Sequence, residues 1–567
     1  MRAIWKRAFP AAMAAVLAVS VFLTGCVGRG AAPKAPAGPS QPAETGGGQS
    51  GGTQPPNAPV SSPAITPAPG ARVEFKEVHS YEVDGELWTV NFKHTISPGG
   101  KWVLAAQTDA TGVKMAALPL DAAAGKVHTL HSADRNWTSN HLFGYYPLGW
   151  ASETRCLFAV QGWQNIGPHK GKRGVAVFAG DVGKEPAAAA EEVAFIGLSK
   201  GLLRFGGLAL ERKKAYFHVS KAIWEFDVAT SKLRQVKGNL PDYEGLFFPK
   251  LSPDGRYLAY DLRERNAHGV YLLDTETGQQ KPLLPTGETM SFYPFWSPDG
   301  KYVAAYAVNK KKGANSSTQP GQGINWQDYD LLEGEDGPQA ASDAITVVNL
   351  EGKVVQTIKV EGKKLSYFRW GSGSNAIGFV VGKSGIGGGG IEQILPESLW
   401  LVASGDALSA GASGSPIRAA TITREKPDEN VYVIIGAVDS DGAGIVYNEY
   451  RTDISYVRHA RLESSKAEPD KMEAAFSGWG MDYVYGNPMV GVLEGAQWSA
   501  VWAFQPTGMS EIARFGPNRH TMVLGYNGDV LAIANCPFWS PDMAKPGAKV
   551  EKAVMKAYRV VKTDSKQ

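Results

Sequence analysis

From about residue 73 onward, apolar and polar positions alternate in short runs, and Gly, Pro, Asp and Asn clusters punctuate them. Examples are "RVEFKEVHSYEV" at 72–83 and "AIWEFDVATSKLRQV" at 222–236. Alternation of period two is a strand signal, and no run in this region keeps the helical period, so the pattern predicts an all-β domain. Two stretches nearly repeat each other: "KLSPDGRYLAY" at 250–260 and "FWSPDGKYVAAY" at 295–306. Pro253 and Pro298 preset the backbone for a type I turn, Asp254 and Asp299 tolerate its third position, and Gly255 and Gly300 take the left-handed residue that follows. Each copy therefore predicts strand, tight turn, strand. "HGVYLLDTETGQQKPLL" at 268–284 adds two more strands around a second turn. Four short strands in roughly forty residues is the length of one β-propeller blade.

Weaker forms of the phrase begin at Ile96, Trp370, Val438 and Gly525. The candidate units are 94–132, 145–197, 203–237, 246–285, 291–362, 366–421, 431–475, 479–514 and 519–562. Units 145–197 and 479–514 carry no turn phrase. The expectation is a single propeller of about eight four-stranded blades, with seven to nine allowed. A further "FWSPD" at 538–542 falls out of register and is read as coincidence. The last unit is one strand short, and 72–83 reads as a strand ahead of the first unit. The N-terminal strand is therefore expected to complete the last blade and keep the ring shut.

These units resemble the WD40-like repeats of TolB and of the propeller that precedes the hydrolase in dipeptidyl-peptidase IV relatives. The likeness is carried by 251–273 and 296–307 and extends more weakly over most of the chain after residue 90. It implies an architecture and leaves the ligand open. The hydrolase of those peptidases is not expected, because the Gly-x-Ser-x-Gly elbow is absent: "GSGSN" at 371–375 and "GASGS" at 411–415 lack its last glycine.

The first residues carry an address. Arg2, Lys6 and Arg7 precede an apolar run from Ala11 to Leu23, and "LTGC" at 23–26 follows. This reads as a signal peptide at 1–25. The last four residues look like a bacterial lipobox, which implies lipidation of Cys26 and a lipoprotein of the cell envelope facing away from the cytoplasm. Residues 26–72 are almost wholly Gly, Pro, Ala, Ser, Thr and Gln. That composition cannot repay its ordering entropy and reads as a tether. The propeller is assigned to 73–567. Lys and Arg number 58 against 55 Asp and Glu. The three basic residues of the signal account for the excess, so the mature chain is close to neutral and nucleic acid is a poor partner. Cys156 and Cys536 lie in apolar runs and read as two buried thiols.

Candidate chemistry is sparse. The ten histidines are scattered, no His-Glu-x-x-His occurs, and no cysteine pair has ligand spacing. His128 and His131 lie three apart in a strand-like run, so they are expected on opposite sides. "DSDGAG" at 439–444 begins like a calcium loop but reads better as another hairpin turn. "GKSGIGGGG" at 382–390 lacks the Lys-Ser/Thr ending of a phosphate loop. No metal or cofactor is assigned.

One unit carries a polar insertion at 310–343, with Trp326 and Tyr329 amid acidic residues. Long loops in compact domains are often functional, though a solvated loop is the plain alternative. The second aromatic cluster is "NWTSNHLFGYY" at 136–146. Trp137, His141, Tyr145, Trp326 and Tyr329 are accordingly the candidate binding rim. Trp150, Trp163, Trp479 and Trp498 also lie beside turns, as ligand platforms or core fillers. The reading is a lipid-anchored, non-catalytic binding or scaffold module for an envelope protein or glycan. A propeller lyase or hydrolase with residues gathered at the channel mouth, or an accessory or sensor lipoprotein of an envelope enzyme or transporter, stands as the alternative.

Overall fold

The computed structural model describes residues 72–563 except for connecting stretches. The longer of these are 90–94, 135–144, 164–168, 198–203, 241–249, 310–341, 387–391, 463–469, 475–482 and 538–550, and gaps of at most four residues occur elsewhere. Its described residues form nine four-stranded sheets. Eight are built from four strands consecutive in sequence, spanning 86–134, 145–197, 204–237, 250–285, 289–358, 364–421, 432–474 and 483–515. They are blades 1 to 8 of a single propeller. Blade 9 is β34 (Arg519–Tyr526), β35 (Val530–Pro537), β36 (Lys552–Thr563) and, on its outside, β1 (Arg72–Asp84).

Nine blades exceed the best expected figure by one and stay within the allowed range. The two units without a turn phrase are genuine blades, 2 and 8. The ring closes as the alternation of 72–83 implied: β1 pairs with β36 from Arg72 opposite Thr563 to Asp84 opposite Lys552. Lys556 reaches Glu77 at 2.8 Å and Lys552 reaches Glu82 at 3.0 Å across the seam.

The core lies between blades, because each sheet is apolar on both faces. Leu104 and Met115 of blade 1 meet Phe158 and Phe178 of blade 2. Phe292 and Tyr306 of blade 5 meet Phe368 and Phe379 of blade 6. Val103 and Leu118 of blade 1 meet Ala532 and Met555 of blade 9, which closes the circle by packing as well as by pairing. Cys156 and Cys536 are both unbridged and buried, in two different inter-blade layers.

The repeated phrase makes the turn between strands 1 and 2. In the first copy Gly255 N–H donates to Ser252 O at 2.8 Å, the Ser252 hydroxyl donates to Asp254 Oδ1 at 2.6 Å, and Tyr257 N–H donates to Ser252 Oγ at 2.9 Å. The second copy repeats all three bonds on Ser297, Asp299, Gly300 and Tyr302. Gly255 and Gly300 have φ of 71° and 74°, the left-handed region that the phrase anticipates.

A second repeated device ties blade to blade. The tryptophan just before the turn donates its indole N–H to a carbonyl in or just after the preceding blade's first strand. Trp150 donates to Thr95 O at 2.6 Å, Trp296 to Lys250 O at 2.7 Å and Trp370 to Phe295 O at 3.2 Å. First strands thus lie against first strands, as strands nearest a common axis must.

Candidate functional site

A four-stranded antiparallel meander places its 1–2 and 3–4 connections at one end. Its 2–3 connection, and the crossing to the next blade, lie at the other. The Ser-Pro-Asp-Gly turns define a turn face; the opposite end is the loop face. β5 (His128–Asp134) ends and β6 (Tyr145–Trp150) begins at the loop face, being strand 4 of blade 1 and strand 1 of blade 2. β19 (Tyr302–Asn309) ends and β20 (Ala344–Asn349) begins there too, as strands 2 and 3 of blade 5. Both segments expected to bind are therefore joined to the same face. Trp137, His141, Trp326 and Tyr329 themselves, like residues 1–71 with Cys26 among them, lie outside the described residues.

The base of the insertion is built in detail. Asn309 N–H donates to Asp343 Oδ2 at 2.7 Å, and Asp343 N–H returns to Ala307 O at 2.9 Å. The other carboxylate oxygen of Asp343 holds Lys364 Nζ of blade 6 at 2.8 Å. Ser342 and Leu365 exchange backbone bonds of 2.9 and 2.8 Å, a one-residue β-bridge onto the first strand of blade 6. Asp343, assigned to the insertion from sequence, is thus part of its stem. The stem is fixed to two blades, one of them through its innermost strand.

Tyr145 has no exposed surface. Its hydroxyl lies 2.7 Å from His131 Nδ1, and His131 packs on Phe158 and Phe178. The side chain belongs to the core between blades 1 and 2, which corrects its placement on the binding rim: its ring stacks with Phe158 and its hydroxyl meets His131. Burial lowers the His131 pKa to about 4 and pushes the Tyr145 hydroxyl far up, so the pair is uncharged near neutrality. His128 and His131 do not face opposite ways. A register shift opposite Met115 and Ala116 inserts one extra residue, so both rings lie toward blade 2, His128 edge-on to Trp102.

"DSDGAG" is a hairpin turn, as its reading favoured. Gly442 N–H donates to Asp439 O and Ala443 N–H to Asp441 Oδ1, each at 2.9 Å. The cation between the two carboxylates is Arg461, which bonds Asp439 and, at 2.6 Å, Asp441. His459 Nε2 lies 2.9 Å from Asp439 Oδ2. Among the described residues no three His, Cys, Asp or Glu side chains are grouped so as to hold a metal ion.

Of the turn-adjacent tryptophans, Trp150 is a buried inter-blade tie. Trp498 is half-buried under the Arg514 guanidinium, 4.4 Å from the ring centre, which Glu511 holds at 3.0 Å. The ties at Trp150, Trp296 and Trp370 escaped the sequence reading. Their signal was a Trp one position before a turn, recurring across units.

No family model matches the chain, and no curated protein matches it significantly. Similar solved structures include an oligogalacturonate lyase in complex with manganese, 14% identical over 62% of this chain and 87% of that one, TM-score 0.34. The Dos1 propeller is 9% identical over 86% and 95%, TM-score 0.41. TolB from Acinetobacter baumannii is 12% identical over 66% and 82%, TM-score 0.25. Scores this low carry no function across. The propeller is read from the nine sheets of the chain itself.

Proposed function

We propose that the protein is a lipid-anchored, extracytoplasmic propeller that binds an envelope protein or glycan through its loop face and catalyses no reaction. The carrying observation is that the strands flanking its two aromatic-rich connections end at one face, the longer connection on a stem clamped by Asp343, Lys364 and the Ser342–Leu365 bridge. A rigid ring presenting long loops suits recognition, because the scaffold pays little to hold the loops near their partner. In this reading Trp137, His141, Trp326 and Tyr329 make the contacts, and lipid on Cys26 holds the ring near the membrane.

The test is cross-linking of the full-length protein in envelope fractions of its host, with bound species and released fragments identified by mass spectrometry. A retained partner that is lost in Trp326→Ala and Trp137→Ala variants supports the reading. Shortened glycan or peptide products overturn it. Release of a Cys26→Ser variant from the membrane fraction is the expected result for the anchor, and retention refutes it.

A further inference from the structure

The opposite mouth of the ring carries a second feature. Lys250, Phe295 and Arg369 occupy one equivalent position in three consecutive blades, each two residues before the turn that opens with Ser252, Ser297 or Gly371. The Phe295 ring centre lies 5.8 Å from Lys250 Nζ and 5.6 Å from the Arg369 guanidinium carbon, so the three side chains form one continuous strip along adjacent first strands. Lys250 is exposed; Phe295, Arg369 and the neighbouring Trp296 and Trp370 are half-buried.

At the same position stand Thr95 in blade 1, Gly149 in blade 2, Ala437 in blade 7 and Gly525 in blade 9; the first turns of blades 3 and 8 lie outside the described residues. The tie itself does not require a large residue here, since Trp296 and Trp370 make the same inter-blade bond as Trp150, beside Gly149; Phe295 also packs edge-on to Phe368, ring centres 5.0 Å apart. Two cations around an aromatic on one arc of the turn-face mouth, against small residues in blades 1, 2, 7 and 9, suit an off-centre ligand.

We propose that this arc at the turn-face mouth, Lys250, Phe295 and Arg369 flanked by Trp296 and Trp370, binds a carboxylated sugar of an acidic glycan. The carboxylate meets Lys250 and the outer edge of the Arg369 guanidinium, whose Nε is buried and whose Nη1 lies 3.5 Å from Phe368 O. The apolar face of the sugar ring lies on the half-buried aromatics. The site is independent of the loop-face reading, because it opens at the other end of every blade.

The test titrates the full-length protein in detergent with a glucuronate-containing tetrasaccharide and with its carboxyl-reduced counterpart, followed by calorimetry. The expected result is saturable binding of the acidic sugar that weakens as salt rises. The reduced sugar, and a Lys250→Gln/Arg369→Gln variant, are each expected to bind roughly tenfold or more weakly. Phe295→Leu is expected to bind several-fold more weakly at an unchanged melting temperature. Trp326→Ala, a loop-face variant, binds the sugar unchanged. Equal binding of both sugars, full binding by the double variant at an unchanged melting temperature, or no binding by the wild type at low salt overturns the proposal. If the double variant does not fold, the comparison of the two sugars on wild-type protein decides.

Discussion

Glu153 of blade 2 supplies the carboxylate that the first turn of blade 1 lacks. Asp254 and Asp299 cap their own turns, but the matching residue of blade 1 is Gly99. Glu153 accepts from the Ser97 hydroxyl at 2.7 Å, from Gly99 N–H at 2.5 Å and from Lys101 N–H at 3.3 Å. A Cβ on Gly99 would lie 2.6 Å from Glu153 Oε2, so the glycine leaves room for the visiting carboxylate.

This substitution across blades predicts a compensating pair. Glu153→Ala removes three bonds at a largely exposed turn and is expected to cost about 1 kcal/mol. Gly99→Asp alone is expected to destabilise by crowding Glu153. The double variant, with its carboxylate restored in place, is expected to recover most of the loss. Chemical denaturation of all four proteins gives the coupling energy, and simple additivity would refute the exchange.

The tryptophan ties predict a gradient set by burial. Trp150 is nearly inaccessible, so Trp150→Phe takes one of two bonds from a buried carbonyl, which keeps Leu104 N–H at 2.8 Å, and leaves a cavity, costing about 2 kcal/mol. Trp296 makes the same bond at a half-exposed position, where water replaces the donor, so Trp296→Phe is expected to cost under about 1 kcal/mol. Equal losses in the two melts would show that the bond, not its burial, sets the cost.

The stem of the insertion predicts a local effect with little global one. Asp343 and Lys364 are only partly buried, and breaking such a pair costs about 1 kcal/mol or less overall. Lys364→Ala is nevertheless expected to speed limited proteolysis within 310–341 several-fold, because one of the two clamps at its base is gone. Unchanged cleavage rates would mean that the Ser342–Leu365 bridge suffices.

His131 predicts a pH dependence of stability. Its folded pKa, about 4, lies below the unfolded value near 6.5, so the unfolded chain binds the proton more readily between them. The contribution is complete above about pH 6.5 and is lost as pH falls toward 4, amounting to about 2–3 kcal/mol. His128 is also lowered, by burial and by Lys126, but it is common to both proteins and drops out of a comparison. The difference in unfolding free energy between wild type and His131→Gln is therefore expected to narrow as pH falls through that window. A constant difference would place the titration elsewhere.

The blades were readable where the chain uses local chemistry. The turn phrase at 252–255 and 297–300 forms its bonds within six residues, so composition alone dictates it. Blade 2 was weak in sequence because its first turn, at Ala151–Arg155, closes through Ala151 N–H to Arg155 O with no Pro, Asp or Gly, while its glutamate serves another blade. The rim was only partly legible for the same reason. Tyr145 beside a polar, aromatic run looks exposed until the bulged strand of His131 is folded against it.

The sequence by itself determined the period-two strands, the hairpin turns, the four-strand unit and the closing strand at 72–83. Each follows from alternation or from the backbone preferences of a few adjacent residues. Only the tertiary structure decided the ninth blade, the exchange of Glu153 for Gly99, the tryptophan ties, and which side chains gather at each mouth. Those depend on which blade lies beside which, and even where one partner recurs, as the tryptophan before the turn does, nothing local in the chain names the residue it meets.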